Sequence, residues 1–263
     1  MYVQTLGRID TLLLSDTHLG SPVSRVDDLL NHIESFRLNK NQWAFDRLVL
    51  LGDIFDSLDL SRLDEASWQV ISAFRDIADS DSNAELIWVH GNHDEDICHM
   101  IPSMTGLRVY SEFTWQVNSR RFIAMHGQQF DKWLTNYPRF SQIPAWFYEW
   151  IQQVDTPDQK ISRFLKEKSK SWLKINLDVA HGVIDYISES GKNVDAVFCG
   201  HTHISETIEF PERNLAYFNT GCWTGKHPPT YITISHSGNV TIREFYGLEA
   251  AGIAPIPSCQ RVA

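Results

Sequence analysis

Cysteine, positive charge and long apolar runs are all scarce in this chain, and each shortage narrows what the protein can be. The four cysteines, Cys98, Cys199, Cys222 and Cys259, show no C-x-x-C spacing. In a chain of 263 residues they argue against a disulfide framework and for reduced thiols in the cytoplasm. Lys and Arg number 23 against 33 Asp and Glu, a net charge of -10. Nucleic acid is therefore not expected as a partner, because binding to its backbone rests on clustered cations. No apolar run reaches the roughly 18 residues that a membrane span needs, and Met1 to Thr5 lack the basic-then-apolar order of an export signal. A soluble cytoplasmic protein is expected, free to lie peripherally on the inner face of a membrane. Internal repeats and low-complexity segments are also missing.

What is present is an alternation of buried strands and amphipathic helices. With 43% hydrophobic residues the chain can bury one sizeable core. The expectation is a single domain over 1–247, a helical insertion over about 128–191, and a poorly ordered tail over 248–263. Thr11 to Ser15, Arg47 to Leu51 and Leu86 to His90 read as buried strands. Between them, Val26, Leu29, Leu30, Ile33 and Phe36, and then Val70, Ile71, Phe74, Ile77 and Ala78, recur at helical spacing. Short strands follow around 108–110, 113–117, 122–125, 196–199, 207–210, 216–219, 231–234 and 241–245. Strands that empty into polar clusters, with helices between, describe an α/β sheet whose site lies at the carboxyl ends.

Those clusters are Asp16-x-His18, Gly52-Asp53, Gly91-Asn92-His93-Asp94, His126-Gly127 and Gly200-His201-x-His203. Positions i and i+2 of an extended segment point the same way, so each histidine-bearing pair can face one site. Carboxylates, imidazoles and an amide oxygen suit borderline divalent ions: manganese first, with iron and zinc as alternatives. Asp16, His18, Asp53, Asn92, His126, His201 and His203 are too many for one ion with open positions and suit two. Two cations about 4 Å apart repel by several kcal/mol even when partly screened, which calls for a bridging anion. Asp53 is the candidate.

In this order the clusters resemble the calcineurin-like metallophosphoesterase superfamily, with its D-x-H, G-D-x-x-D, G-N-H-D, H and G-H-x-H pattern. The resemblance implies a four-layer α/β/β/α sandwich carrying a dinuclear centre. One metal would fall to Asp16, His18, Asp53 and His203, the other to Asp53, Asn92, His126 and His201. It further implies attack on phosphorus by a hydroxide bridging the metals. His93 and Asp94 are the expected catalytic residues, with His93 facing the substrate. Asp56, and Asp94 as well, would orient the histidines and ligands from behind.

The insertion bears on substrate. Trp133, Tyr137, Phe140, Trp146, Phe147, Tyr148 and Trp150 make its first half rich in aromatics. In its second half Ile161, Phe164, Leu165, Trp172, Ile175 and Val179 share one helical face, while Arg163, Lys166, Lys170 and Lys174 share the opposite one. One reading is a packed helix with a solvated charged face. The other is a surface for an anionic amphiphile, with the four cations as substrate contacts. The insertion after His126-Gly127-x-x-x-Asp131, Cys199 to His203, and Asn219-Thr220-Gly221-Cys222-Trp223 together resemble the branch containing UDP-2,3-diacylglucosamine pyrophosphatases. That likeness implies cleavage of a lipid-linked pyrophosphate in lipid A synthesis. The alternatives are a phosphomonoesterase or phosphodiesterase acting on another phosphorylated lipid, nucleotide or polyphosphate, and a non-catalytic interaction module on the same fold. The oligomeric state is not legible.

Overall fold

The computed structural model describes residues 7–57, 59–94, 98, 107–131 and 176–247. In chain order the elements are β1 (Ile9–Leu14), α1 (Val26–Ser35), β2 (Arg37–Asn39), β3 (Gln42–Trp43), β4 (Phe45–Leu51), α2 (Glu65–Ala78), β5 (Glu85–Val89), β6 (Val109–Tyr110), β7 (Phe113–Val117), β8 (Arg120–Ala124), α3 (176–189), β9 (Ala196–Cys199), β10 (Glu206–Phe210), β11 (Leu215–Asn219), β12 (Thr230–Ile234) and β13 (Val240–Glu244). Two sheets carry the frame, ordered β13-β12-β1-β4-β5-β6 and β10-β11-β9-β8-β7. In the first, β1, β4, β5 and β6 are parallel; in the second, β8, β9 and β11 are. The small hairpin β2-β3 is absent from the sequence reading, because its Gln42–Trp43 arm is too short to show a period.

Strand alternation explains the layers. Leu12 and Leu14 of β1, Leu48 and Leu50 of β4, and Leu86 and Trp88 of β5 point one way, onto Leu29 and Ile33 of α1 and Val70, Phe74 and Ile77 of α2. Their neighbours Leu13, Val49, Leu51, Ile87 and Val89 point the other way and meet Trp115, Phe122, Ala124, Ala196, Phe198 and Phe218 of the second sheet. The outer face of that sheet, including Ile123, Val197 and Tyr217, buries Val179, Val183, Ile184 and Ile187 of α3. The result is α/β/β/α, with three apolar seams that each contribute about 1.5–3 kcal/mol per fully buried large side chain. These strands carry apolar residues on both faces because both faces are covered.

Local signals set the helix limits. Asp64 caps α2, its carboxylate accepting from Ser67 N–H at 2.8 Å. Asp27 and Asp28 lie in the first turn of α1, where negative charge is favoured. Among the described residues no helix is long and apolar enough to cross a membrane.

Candidate metal centre

The loops that follow the strands remain tied together past the strand ends. Asp16, His18 and Leu19 N–H donate to Gly52, Asp53 and Ile54 carbonyls at 2.8–3.0 Å, prolonging the β1-β4 ladder. Gly200 N–H donates to His126 O at 3.1 Å and joins the β8 and β9 loops in the same way. The two sheets meet where Asp16 Oδ2 accepts from His201 N–H at 3.0 Å.

Backbone strain concentrates at this edge. Of seven described non-glycine residues with positive φ, five are Asp16, His18, Asp53, His201 and His203, at φ between 44° and 69°. Each such residue costs of order 1–3 kcal/mol and persists only where its surroundings fix it. The other two are Asn118 and Asn214, a residue type that tolerates this region in turns. The expected strand alternation therefore does not govern His201 and His203. Strand β9 ends at Cys199, and left-handed turns at both histidines send their rings to different partners.

His203 Nε2 lies 3.2 Å from Asp16 Oδ1 and 3.3 Å from His18 Nε2. His126 Nε2 lies 3.3 Å from Asp53 Oδ2, and His18 Nε2 lies 3.9 Å from the same oxygen. Ligand-capable atoms of Asp16, His18 and His203 fall within 4.8 Å of one another, as do those of Asp53, His126 and His201. The oxygens of Asp53 divide their duties. Oδ1 accepts from His93 N–H at 2.9 Å, while Oδ2 faces both groups. His126 donates Nδ1–H to Leu51 O at 2.9 Å, which directs Nε2 inward.

Three glycines are required for this convergence. A Cβ on Gly91 would overlap Asp53 Oδ1 and lie 2.5 Å from Asp53 N; one on Gly200 would overlap Asp16 Oδ2 and lie 2.8 Å from Ser15 Cβ. Gly52, at φ 78°, would collide with His126.

The site suits cations. His126 Nε2 and Asn92 Oδ1 are buried without a hydrogen-bond partner. Burial alone would raise the Asp16 and Asp53 carboxyls, yet neighbouring histidines hold Asp16 below and Asp53 well below the usual range. Burial likewise opposes charge on His126, but Asp53 and then Asp16 push it up to about 9. His203 is carried well above its ordinary value against burial, chiefly by Asp16. His18 behaves oppositely, since burial drives it down to about 3. Two buried carboxylates thus demand positive charge, and O/N donors in this number are the set a borderline divalent ion takes.

Around this core, His93 is half-buried, with Nδ1 at 2.8 Å from Asp56 O, to which it donates; its ring meets that of His18 edge-on at 4.9 Å. Asp56 stands 3.7 Å from His18 Nδ1 and is paired with Arg62 at 2.7 Å. Asp94, expected among the catalytic residues, is placed elsewhere. It is fully buried and its carboxylate accepts from Ile54, Phe55 and Gly91 N–H at 3.1–3.3 Å, so it clamps the loops rather than touching a substrate. Burial, with Asp53 next, pushes its carboxyl up to about 6.

Two neighbours of the site have no site role in the sequence reading, which names Asp131 only as part of a motif layout and does not single out Arg62. Asp131, 6% exposed, lies 3.1 Å from His201 Nε2 and fixes that ring; its sole signal is the His126-x-x-x-x-Asp131 spacing. Arg62 follows the Gly52-Asp53-x-x-Asp56 motif by six residues with no periodicity to mark it. Arg163, Lys166, Lys170 and Lys174, and the aromatic run from Trp133 to Trp150, lie outside the described residues, as does the tail from Leu248.

A solved structure of an archaeal phosphodiesterase shares 14% identity, covering 89% of this chain and 98% of its own, at a TM-score of 0.46. Yfce, a phosphoesterase from E. coli, shares 15% over 89% and 98% at 0.43, and Vacuolar Protein Sorting 29 from Cryptosporidium parvum 15% over 90% and 98% at 0.46. No curated protein matches the chain. The family profile described as calcineurin-like phosphoesterase matches residues 9–205, from the first residue of β1 to just past His203. That span takes in all five clusters and both sheets' central strands, and the chain belongs to the calcineurin-like phosphoesterase family, whose members are dinuclear-metal-dependent phosphoester hydrolases.

Proposed function

We propose that this phosphoesterase works with two divalent ions, manganese foremost, held by Asp16, His18, Asp53 and His203 on one side and by Asp53, Asn92, His126 and His201 on the other. The observation that carries this reading is Asp53 Oδ2, which faces His18 and His126 while Oδ1 is occupied by His93 N–H. When bound, such ions lower the pKa of coordinated water and neutralise phosphoryl charge. The chain's own groups do the rest. Asp131 keeps His201 in one orientation, and Leu51 O keeps His126 in one tautomer. His93, tethered by Nδ1–H to Asp56 O, keeps Nε2 for the proton that the leaving oxygen needs. Arg62 and His18 flank Asp56 and hold that tether in place.

For substrate, the reading is an anionic amphiphile of the UDP-2,3-diacylglucosamine kind, cleaved at its pyrophosphate at a membrane surface. Its support is the resemblance of the motif layout and the aromatic and basic character of the 128–191 insertion. The test is a panel with manganese-loaded protein: UDP-2,3-diacylglucosamine, simple nucleotides, and chromogenic phosphomonoesters and diesters. Preference for the lipid supports the reading; preference for the small soluble compounds removes it and leaves a phosphomonoesterase or phosphodiesterase. Turnover that needs no metal, or that survives His93→Ala undiminished, would overturn the dinuclear mechanism. The expected loss for His93→Ala is about 10²- to 10⁴-fold in kcat with both ions still bound.

A further inference from the structure

The residue between the two histidines, Thr202, faces neither set of ligands. It is 1% exposed, and its hydroxyl donates to Asn176 Oδ1 at 2.9 Å while accepting from Asn219 Nδ2 at 3.1 Å. Asn219 Nδ2 also donates to Gly200 O at 2.6 Å and to Tyr217 OH at 3.1 Å, and its Oδ1 accepts from Gly221 N–H at 3.0 Å. Asn176, on the first described turn of α3, accepts again from Tyr217 OH at 3.5 Å and donates to Glu206. Asn176, Tyr217 and Asn219 are all fully buried.

Packing alone would not choose these residues. The network adjoins the apolar seam between α3 and the second sheet, where Val183, Val197 and Cys199 are fully buried. An aliphatic side chain at 202 or 176 would suit such a neighbourhood without the 1–3 kcal/mol that each unpaired buried polar group costs. What a satisfied polar network adds is a single geometry. Here that geometry fixes Gly200-His201-Thr202-His203, among the described residues the one segment that sends a ring toward each ligand group, with both histidines at positive φ and Thr202 N–H closing a tight turn on Gly200 O at 2.8 Å.

We infer that Thr202, Asn219 and Asn176 are positioning residues that set the relative placement of the two metals, by pinning the G-H-T-H loop from behind to β11 and α3. The inference rests on the dinuclear reading above. It gives Asn219, part of the sequence's Asn219 to Trp223 motif, a task that the ligand set does not explain. It also ties the loop to residue 176, on the first described turn of α3.

Manganese alone is the probe, with the full-length protein. Titration followed by EPR reads both affinity and the spin coupling of a manganese pair, neither of which a purely structural residue would move. Thr202→Val keeps the shape and removes both hydroxyl bonds. It is expected to weaken uptake of the pair about 10- to 100-fold, the usual scale for groups behind metal ligands, and to change or abolish the coupled signal. Thr202→Ser, which keeps the hydroxyl, is expected to restore both. Asn176→Ser, on α3 and away from the loop, should weaken uptake in the same direction, and it decides the matter should Thr202→Val fail to fold. Wild-type uptake and coupling in the folded variants would overturn the inference. A wild-type protein that takes up no coupled pair would instead defeat the dinuclear reading itself.

Discussion

Two clusters of aspartate and histidine sit at opposite ends of the same strands, and only one of them is built for a metal. At the amino ends, Asp10, Asp46 and His236 bring ligand atoms as close together as the groups at the carboxyl ends do. There, however, Arg8 takes Asp46 at 2.5 Å and Arg47 reaches both Asp10 and Glu85, on side chains that are exposed or half-buried. The carboxyl-end cluster has no arginine on Asp16 or Asp53 among the described contacts. It is buried, and its backbone is bent into left-handed turns. Residue type and proximity are therefore poor guides by themselves. What separates a site from a surface ion-pair web is an acid that burial exposes to neighbouring histidines and to no fixed cation.

The widest separation between the two ends should come from one pair of variants. Asp53→Asn is expected to lower kcat/KM by about 10³-fold or more, the scale of losing a preorganised charge-stabilising group, and to abolish uptake of the ion pair in a metal titration. Asp46→Asn, at the other cluster, should leave both at the wild-type level; a matching loss there would erase the distinction.

His32, buried in neither cluster, sharpens it from another side. Its ring lies among Phe36, Trp223, Tyr231 and Phe245, and burial pushes it down to about 3. The folded form resists a proton that the unfolded chain accepts near pH 6.5, so stability present above that pH is lost as pH falls toward 3. Unfolding at a series of pH values should show a loss of several kcal/mol across that window, shallower in His32→Phe. An unchanged slope in that variant would assign the acid sensitivity elsewhere.

Gly91→Ala should cost about 1–3 kcal/mol from forced overlap with Asp53, measured by denaturant melts, and should also weaken metal uptake. Asp131→Asn should lower metal affinity by about 10- to 100-fold by calorimetry, through the orientation of His201. Smallest of all, Arg47→Met at the amino-end web should change stability by less than about 1 kcal/mol, because its pairs with Asp10 and Glu85 are reached by solvent.

The frame was largely legible because its strands are covered on both faces. Leu48, Val49, Leu50 and Leu51 make an unbroken apolar run whose length and closing Gly52 favour a buried strand, and the spacing of Leu29, Leu30 and Ile33 leaves α1 one face to bury. The seven clustered polar residues were legible as a set, since each follows such a strand. How they point was not. The alternation rule fails once φ turns positive, so the separate destinations of His201 and His203 came from the family resemblance and not from any local pattern, and the left-handed turns that produce them are seen in the coordinates. The place of Asp94 in Gly91-Asn92-His93-Asp94 offers it both a catalytic and a supporting role, and its three amide partners match the supporting one. Asp131, Asn176 and Thr202 act through contacts 70, 26 and 17 residues away along the chain, which no local pattern reports.

The glycines of the motifs carry one more consequence. Gly91 clears space for Asp53, Gly200 for Asp16 and Gly52 for His126, so three of the five motifs hold the vacancy that another motif's ligand fills. The motifs are thus sterically interlocked in two sets, Asp16 with Gly200 across nearly two hundred residues of sequence, and Asp53 and His126 with Gly91 and Gly52, so a motif exchanged alone would meet a partner shaped for another loop. For anyone grafting or recombining this site, the transferable part is the whole ring of loops.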